Sequence, residues 1–160
     1  MRILGTILIS SMIIIAVSAC TNSHVEDSTM AIGEVNQQQL MTEHQAFQQS
    51  YQLFQLSEFD IAAIKTWPSD VHIEVYFGTW CHDSIREVPR FLKIVAENST
   101  ISHRLIALDY EKSEPNGSAK RHNIKFSPSF IVYQSDKERG RIIERPTVSL
   151  TADISAMLSP

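Results

Sequence analysis

The chain has 160 residues, of which 43% are hydrophobic and 20% charged, enough apolar material for one packed domain. Its formal charge of −4 argues against nucleic acid as a partner, because phosphate backbones are held by a basic footprint. It contains no internal repeat and no low-complexity tract.

The first 20 residues read as an export signal rather than as part of the fold. Arg2 supplies a positive start, and Ile3 to Val17 is an apolar run broken only by Gly5, Thr6, Ser10 and Ser11. Small residues, Ser18 and Ala19, then precede Cys20, the layout of a cleavable leader. Val17-Ser18-Ala19-Cys20 resembles a bacterial lipobox. That resemblance implies a signal peptide over 1–19, lipidation of Cys20 with palmitate-type chains, and attachment to a membrane through the lipid. Thr21 in place of Asp then implies the outer membrane of the cell envelope, with the domain facing the periplasm. An uncleaved anchor is the alternative, since about 17 apolar residues barely span a bilayer. Both readings place the domain outside the cytoplasm. With Cys20 consumed by lipid, Cys81 is the only thiol of the mature chain, and no internal disulfide is possible.

Residues 20–35 read as the lipidated cysteine and a polar, aperiodic tether. Residues 36–57 form a helical extension, with Leu40, Phe47, Tyr51, Phe54 and Leu56 on one face and glutamines on the other. Residues 58–160 make the main domain. Its first segment, Glu58 to Trp67, is open to helix or strand. His72 to Phe77 is a central strand, and Ile85, Val88, Leu92 and Val95 mark a helical stripe reaching Ala96. Arg104 to Leu108 is a strand, Asn116-Gly117 a turn, and Ser118 to His122 a short helix. Phe130 to Tyr133 is a strand, Ser135 to Gly140 a polar turn, and Arg141 to Glu144 the returning strand. Leu150 or Thr151 opens a last helix, with Thr151 a candidate N-cap for Ala152 to Leu158. Strands alternating with helices predict an α/β sheet covered by helices on both faces.

Between the first strand and its helix lies GTWCHDSIREVP, residues 78 to 89. Trp80-Cys81-x-x-Ser84 after a strand, Pro89 eight residues beyond Cys81, and Phe126-Ser127-Pro128 before the Phe130 strand together resemble the thioredoxin superfamily. The resemblance covers roughly residues 58 to 158. It implies a three-layer sandwich with a mixed central sheet, and a cis-proline loop at Phe126, Ser127 and Pro128 that binds substrate. It also implies a nucleophile at Cys81, with Ser84 standing where the resolving cysteine belongs. The buried acid that many thioredoxins carry six residues before the first cysteine is replaced by Val75. Glu74, by strand alternation, points to the opposite face.

The chemistry is also arguable from the residues alone. A cysteine at a strand-to-helix junction lies near unpaired N–H groups and the positive end of the helix dipole, which stabilise a thiolate. A protonated His82 acts in the same direction and Asp83 against it, while Trp80 offers a flat shield. Ser84 is a candidate hydrogen-bond donor to Cys81. An extended substrate can pair with the backbone of Phe126 and Ser127. With a single thiol, attack on a disulfide survives, but release needs an external thiol or the substrate's own second cysteine. The expected partners are therefore protein or low-molecular-weight thiols and disulfides. Two readings follow: a monothiol oxidoreductase or isomerase, or a redox-inactive module that binds peptides through the same surface. No cofactor is expected. No metal is expected either, because His82 and Asp83 splay apart on a helix and no second ligand pair has the right spacing.

Overall fold

A computed structural model describes residues 29–159. The expected signal peptide, Cys20 and the first part of the tether lie outside the described residues. Five strands, β1 (Gly33–Val35), β2 (Val71–Phe77), β3 (Ser102–Ala107), β4 (Ser129–Gln134) and β5 (Lys137–Ile143), form one sheet in the order β1-β3-β2-β4-β5. The helices are α1 (Gln37–Glu43), α2 (Gln45–Leu53), α3 (Glu58–Ile64), α4 (His82–Ala96), α5 (Ser118–Arg121) and α6 (Leu150–Leu158). Only β2 and β3 pair in parallel; every other neighbouring pair is antiparallel. The fold is the thioredoxin-like α/β sandwich that the motif order implies.

Alternation along β2 decides how the layers divide. Val71, Ile73, Val75 and Phe77 enter the large core with Phe130 and Val132 of β4. Leu40, Phe47 and Ile64 join them from α1, α2 and α3, together with Phe91 and Leu92 of α4 and Ile154 of α6. On the other face Tyr76 packs with Ile106, Leu108, Ala119 and Ile131. That layer is thin, since α5 has only four residues. Glu74 lies on this thin side, as alternation requires, and accepts from Tyr76 Oη at 2.9 Å and Arg104 Nη1 at 3.0 Å.

Several boundaries differ from expectation, each for a local reason. The tether read as running to Val35 ends in β1, held antiparallel to β3 by backbone pairing and by Glu34 against Arg104 at 2.7 Å. Three residues are too short for a period to register. The extension is two helices rather than one, broken at His44 (φ −126°, ψ 88°), with Asn36 capping the first through Oδ1. Glu58 to Ile64 is helix, started by a capping box between Ser57 and Asp60. The polar stretch 135–140 is mostly strand: the turn is Ser135-Asp136, both at positive φ, and β5 begins at Lys137. Charged residues are what an edge strand carries, so Lys137, Glu138 and Arg139 read as loop. The last helix is capped by Ser149 Oγ, which accepts from Ala152 N, while Thr151 is buried inside it.

Two histidines in this packing give a pH prediction. Burial holds the His103 imidazole below its ordinary range, and the nearby His72 adds to the effect. Burial lowers His44 as well, against the pull of Glu43. Their neutral forms belong to the folded state, so around those values the unfolded chain binds more protons. Stability is then full above roughly pH 6.5, the ordinary imidazole value, and falls as pH drops below it. The urea midpoint is expected to fall between about pH 7 and pH 5.5, and less steeply in His103→Leu. A flat midpoint over that interval contradicts the reading. Glu114 behaves differently. Its burial is outweighed by donors at Ala119, Asn116 and Ser118, which hold its carboxyl low, so its contribution is lost only at lower pH.

Candidate functional site

The site forms where β2 ends and α4 begins. Cys81 is the N-cap of α4 in extended conformation (φ −95°, ψ 123°), with no side-chain cap bond. The first N–H groups of the helix are therefore not taken up by the capping side chain. Cys81 N donates to Gly78 O at 3.1 Å, and Ile85 N returns to Cys81 O at 2.9 Å. Cys81 is partly exposed. Its sulfur donates to Ser127 O at 3.0 Å, so the carbonyl before Pro128 faces the thiol directly. Ser127-Pro128 is a cis peptide, as the resemblance implied.

Ser84 is placed differently from the expectation of a bond to Cys81. Its side chain is fully buried. The hydroxyl lies 3.0 Å from Ser127 Oγ and accepts from Gly78 N at 3.3 Å. Gly78 N also donates to Ser127 Oγ at 2.7 Å. The two hydroxyls and one N–H thus tie strand end, helix and proline loop together beneath the thiol. Ser84 turns toward this triangle because a buried hydroxyl left without partners is costly. The part played by the Ser127 side chain was not visible in the sequence. Two serines 43 residues apart carry no local signal of pairing.

The remaining expected residues surround this centre. Trp80 Nε1 donates to Leu108 O at 3.1 Å, and its ring stacks on Tyr110 with centroids 4.8 Å apart. Lys112 Nζ sits 5.1 Å from the Trp80 ring. Neither Tyr110 nor Lys112 was foreseen, as both come from the loop after β3. His82 is exposed to solvent. Asp83 is paired with Arg86 at 2.7 Å, which offsets the charge expected to act against the sulfur. Phe126 is half exposed, and its carbonyl accepts from Ser129 Oγ at 2.8 Å. Thr79 Oγ1 accepts from Ala31 N at 3.2 Å, so the segment leading into β1 is tied to the turn before α4. Val75 and Pro89 are both buried, the latter within α4. Among the described residues, no group of three or more His, Cys, Asp or Glu side chains gathers at metal-binding distance.

Gly78 is required by the tryptophan. A Cβ at this position would lie 2.5 Å from Trp80 Cε2, a contact that real side chains do not make. Gly78→Ala is expected to push the Trp80 ring off Leu108 and Tyr110. The expected cost is about 1–3 kcal/mol, as for overpacking elsewhere, with a red-shifted tryptophan emission. An unchanged emission spectrum would mean that the ring has room the structure does not show.

A family model described as thioredoxin matches residues 31–153, and the chain belongs to that family. The comparison with curated proteins gives no match. Among solved structures, a protein of unknown function from Pseudomonas aeruginosa is similar at 16% identity and a TM-score of 0.59, covering 72% of this chain and 83% of its own. An HIV epitope scaffold is similar at 15% identity and a TM-score of 0.59, covering 72% and 84%. Oxidized thioredoxin O2 from Arabidopsis thaliana follows at 13% identity and a TM-score of 0.47, covering 64% and 88%. At such identities the first two likenesses bear on the fold alone.

Proposed function

We propose that this is a membrane-tethered, extracytoplasmic thioredoxin-like protein that performs monothiol exchange through Cys81. The observation that carries the reading is a partly exposed cysteine at the start of α4, facing the cis-proline loop at 3.0 Å, with a serine where a second thiol would stand. The Cys81 thiolate attacks one sulfur of a substrate disulfide, forming a mixed disulfide and expelling the other sulfur as a thiolate. An external thiolate, glutathione or a second cysteine of the substrate, then attacks the mixed disulfide. A new disulfide forms and Cys81 leaves as thiolate. Glutathione makes the outcome reduction, and the substrate's own cysteine makes it isomerisation. The lipid on Cys20 holds the domain at the envelope, on the periplasmic side of the outer membrane.

A second reading is a peptide-binding module without redox turnover. It is favoured by exposed aromatic surface on the loop that packs on Trp80 and on the loop that faces Cys81, Tyr110 at 62% and Phe126 at 50% exposure. Both readings are tested by incubating the full chain with glutathione disulfide and mapping the adduct by mass spectrometry. One glutathionyl group is expected on Cys81, released by excess thiol and absent from Cys81→Ser. A folded chain that resists modification at Cys81, while the urea-unfolded chain reacts, would leave the binding module as the better account.

A further inference from the structure

A cavity of about 220 Å³ opens between the end of α2, the middle of α4 and the start of α6, away from the thiol chemistry proposed above. Phe54, Pro146, Val148 and Leu150 give it apolar walls, and Asp60, Glu87 and Arg90 supply its charges. Glu87 is its unusual member. The side chain is 2% exposed, yet both of its donors fall on the same oxygen: Arg86 Nε at 2.6 Å and Arg90 Nη1 at 3.3 Å reach Oε1. Oε2 is buried with no hydrogen-bond partner. A carboxylate oxygen in that position is expensive unless a donor meets it.

The charges around the cavity decide what kind of donor fits. Arg86 is shared between Asp83 and Glu87, and Arg90 between Glu87 and the Phe54 ring. Those four residues, Asp83, Arg86, Glu87 and Arg90, balance. Asp60 adds one negative charge to the lining, although its Oδ2 already accepts from Ser57 in the capping box of α3. The positive ends of the two helices that open here are already met by acids, Glu58 and Asp60 on α3 and Asp153 on α6. An anion would meet the Glu87 carboxylate, whose Oε2 calls for a donor. We propose that this cavity binds a primary ammonium or guanidinium group carried on a short apolar stem. The cation donates to Glu87 Oε2 while the stem lies along Phe54, Val148 and Leu150. The group is supplied either by a free small amine or by a lysine or arginine side chain of a partner protein.

The test titrates n-butylammonium into the isotope-labelled full chain in detergent micelles, following the amide resonances of Leu150 and Thr151. Saturable shifts are expected with n-butylammonium and not with n-butanol, which offers the same stem without the charge. Glu87→Gln should weaken binding by about tenfold or more, the loss of one charge-assisted hydrogen bond. If Glu87→Gln does not fold, Asp60→Asn decides, since it removes one negative charge from the lining and should weaken binding in the same direction. N-acetyl-lysine amide separates the sources: binding as tight as n-butylammonium assigns the cavity to a protein side chain, and its exclusion to a free amine. No saturable shift, equal response to n-butanol, or undiminished affinity in the folded variants overturns the proposal. Glutathionylation of Cys81 is unaffected by any of these outcomes.

Discussion

On the proposed monothiol mechanism, Ser84→Cys is expected to turn Cys81 from a thiol that depends on an outside partner into one half of a dithiol pair. In a disulfide-reduction assay with limiting external thiol, turnover should rise by about tenfold or more, because a tethered thiol acts at an effective concentration of millimolar or higher. The oxidised variant should carry an internal disulfide, visible as loss of one alkylatable thiol pair. Two features of the site restrain the gain. Ser84 Oγ is bonded to Gly78 N and Ser127 Oγ, and a thiol is a weaker partner there, so a stability loss of about 1 kcal/mol is expected. Val75 also occupies the place where related proteins keep a buried acid, and it is fully buried within the apolar core. The new thiol would therefore lose its proton without help. A Ser84→Cys variant with no internal disulfide and no gain in turnover would show that side chains at position 84 stay turned toward Gly78 and Ser127 and away from Cys81.

The parts of this chain legible in its sequence are those governed by local rules. The strand His72 to Phe77 was readable because β-branched and aromatic residues crowd it, and its alternation placed Glu74 and Val75 on opposite faces. Cys81 was readable as a helix start because a strand, a turn and an amphipathic stripe follow one another without a gap. Long-range choices were not legible. The β1 strand depends on pairing with β3, some 70 residues away in sequence, and no three-residue pattern announces that. The Ser84–Ser127 contact and the Trp80–Tyr110 stack depend on loops that meet only once the sheet has formed. Lys137 to Arg139 misled for the opposite reason: edge strands carry the charges by which loops are otherwise recognised.

The helices α1 and α2 offer the sharper stability test, because their residues enter the core of the sheet. Phe47 of α2 is fully buried, and its ring meets Phe77 edge-on with centroids 5.8 Å apart. Phe77 ends β2, one residue before Gly78 and four before Cys81. Phe47→Ala is expected to cost about 3–5 kcal/mol, the usual range for deleting a buried phenylalanine. Against a total of about 5–15 kcal/mol for an ordinary domain, that is a large fraction. Leu53→Ala is the control on the same helix: its side chain is 82% exposed, so the change should stay within about 0.5 kcal/mol. Urea unfolding followed by tryptophan fluorescence distinguishes the two, since Trp67 lies in the core and Trp80 is bonded to Leu108. If both variants unfold at the same midpoint as the parent chain, α1 and α2 are an ornament on the sheet. If Phe47→Ala alone falls, and glutathionylation of Cys81 loses its selectivity with it, the extension is part of the floor on which the thiol is positioned.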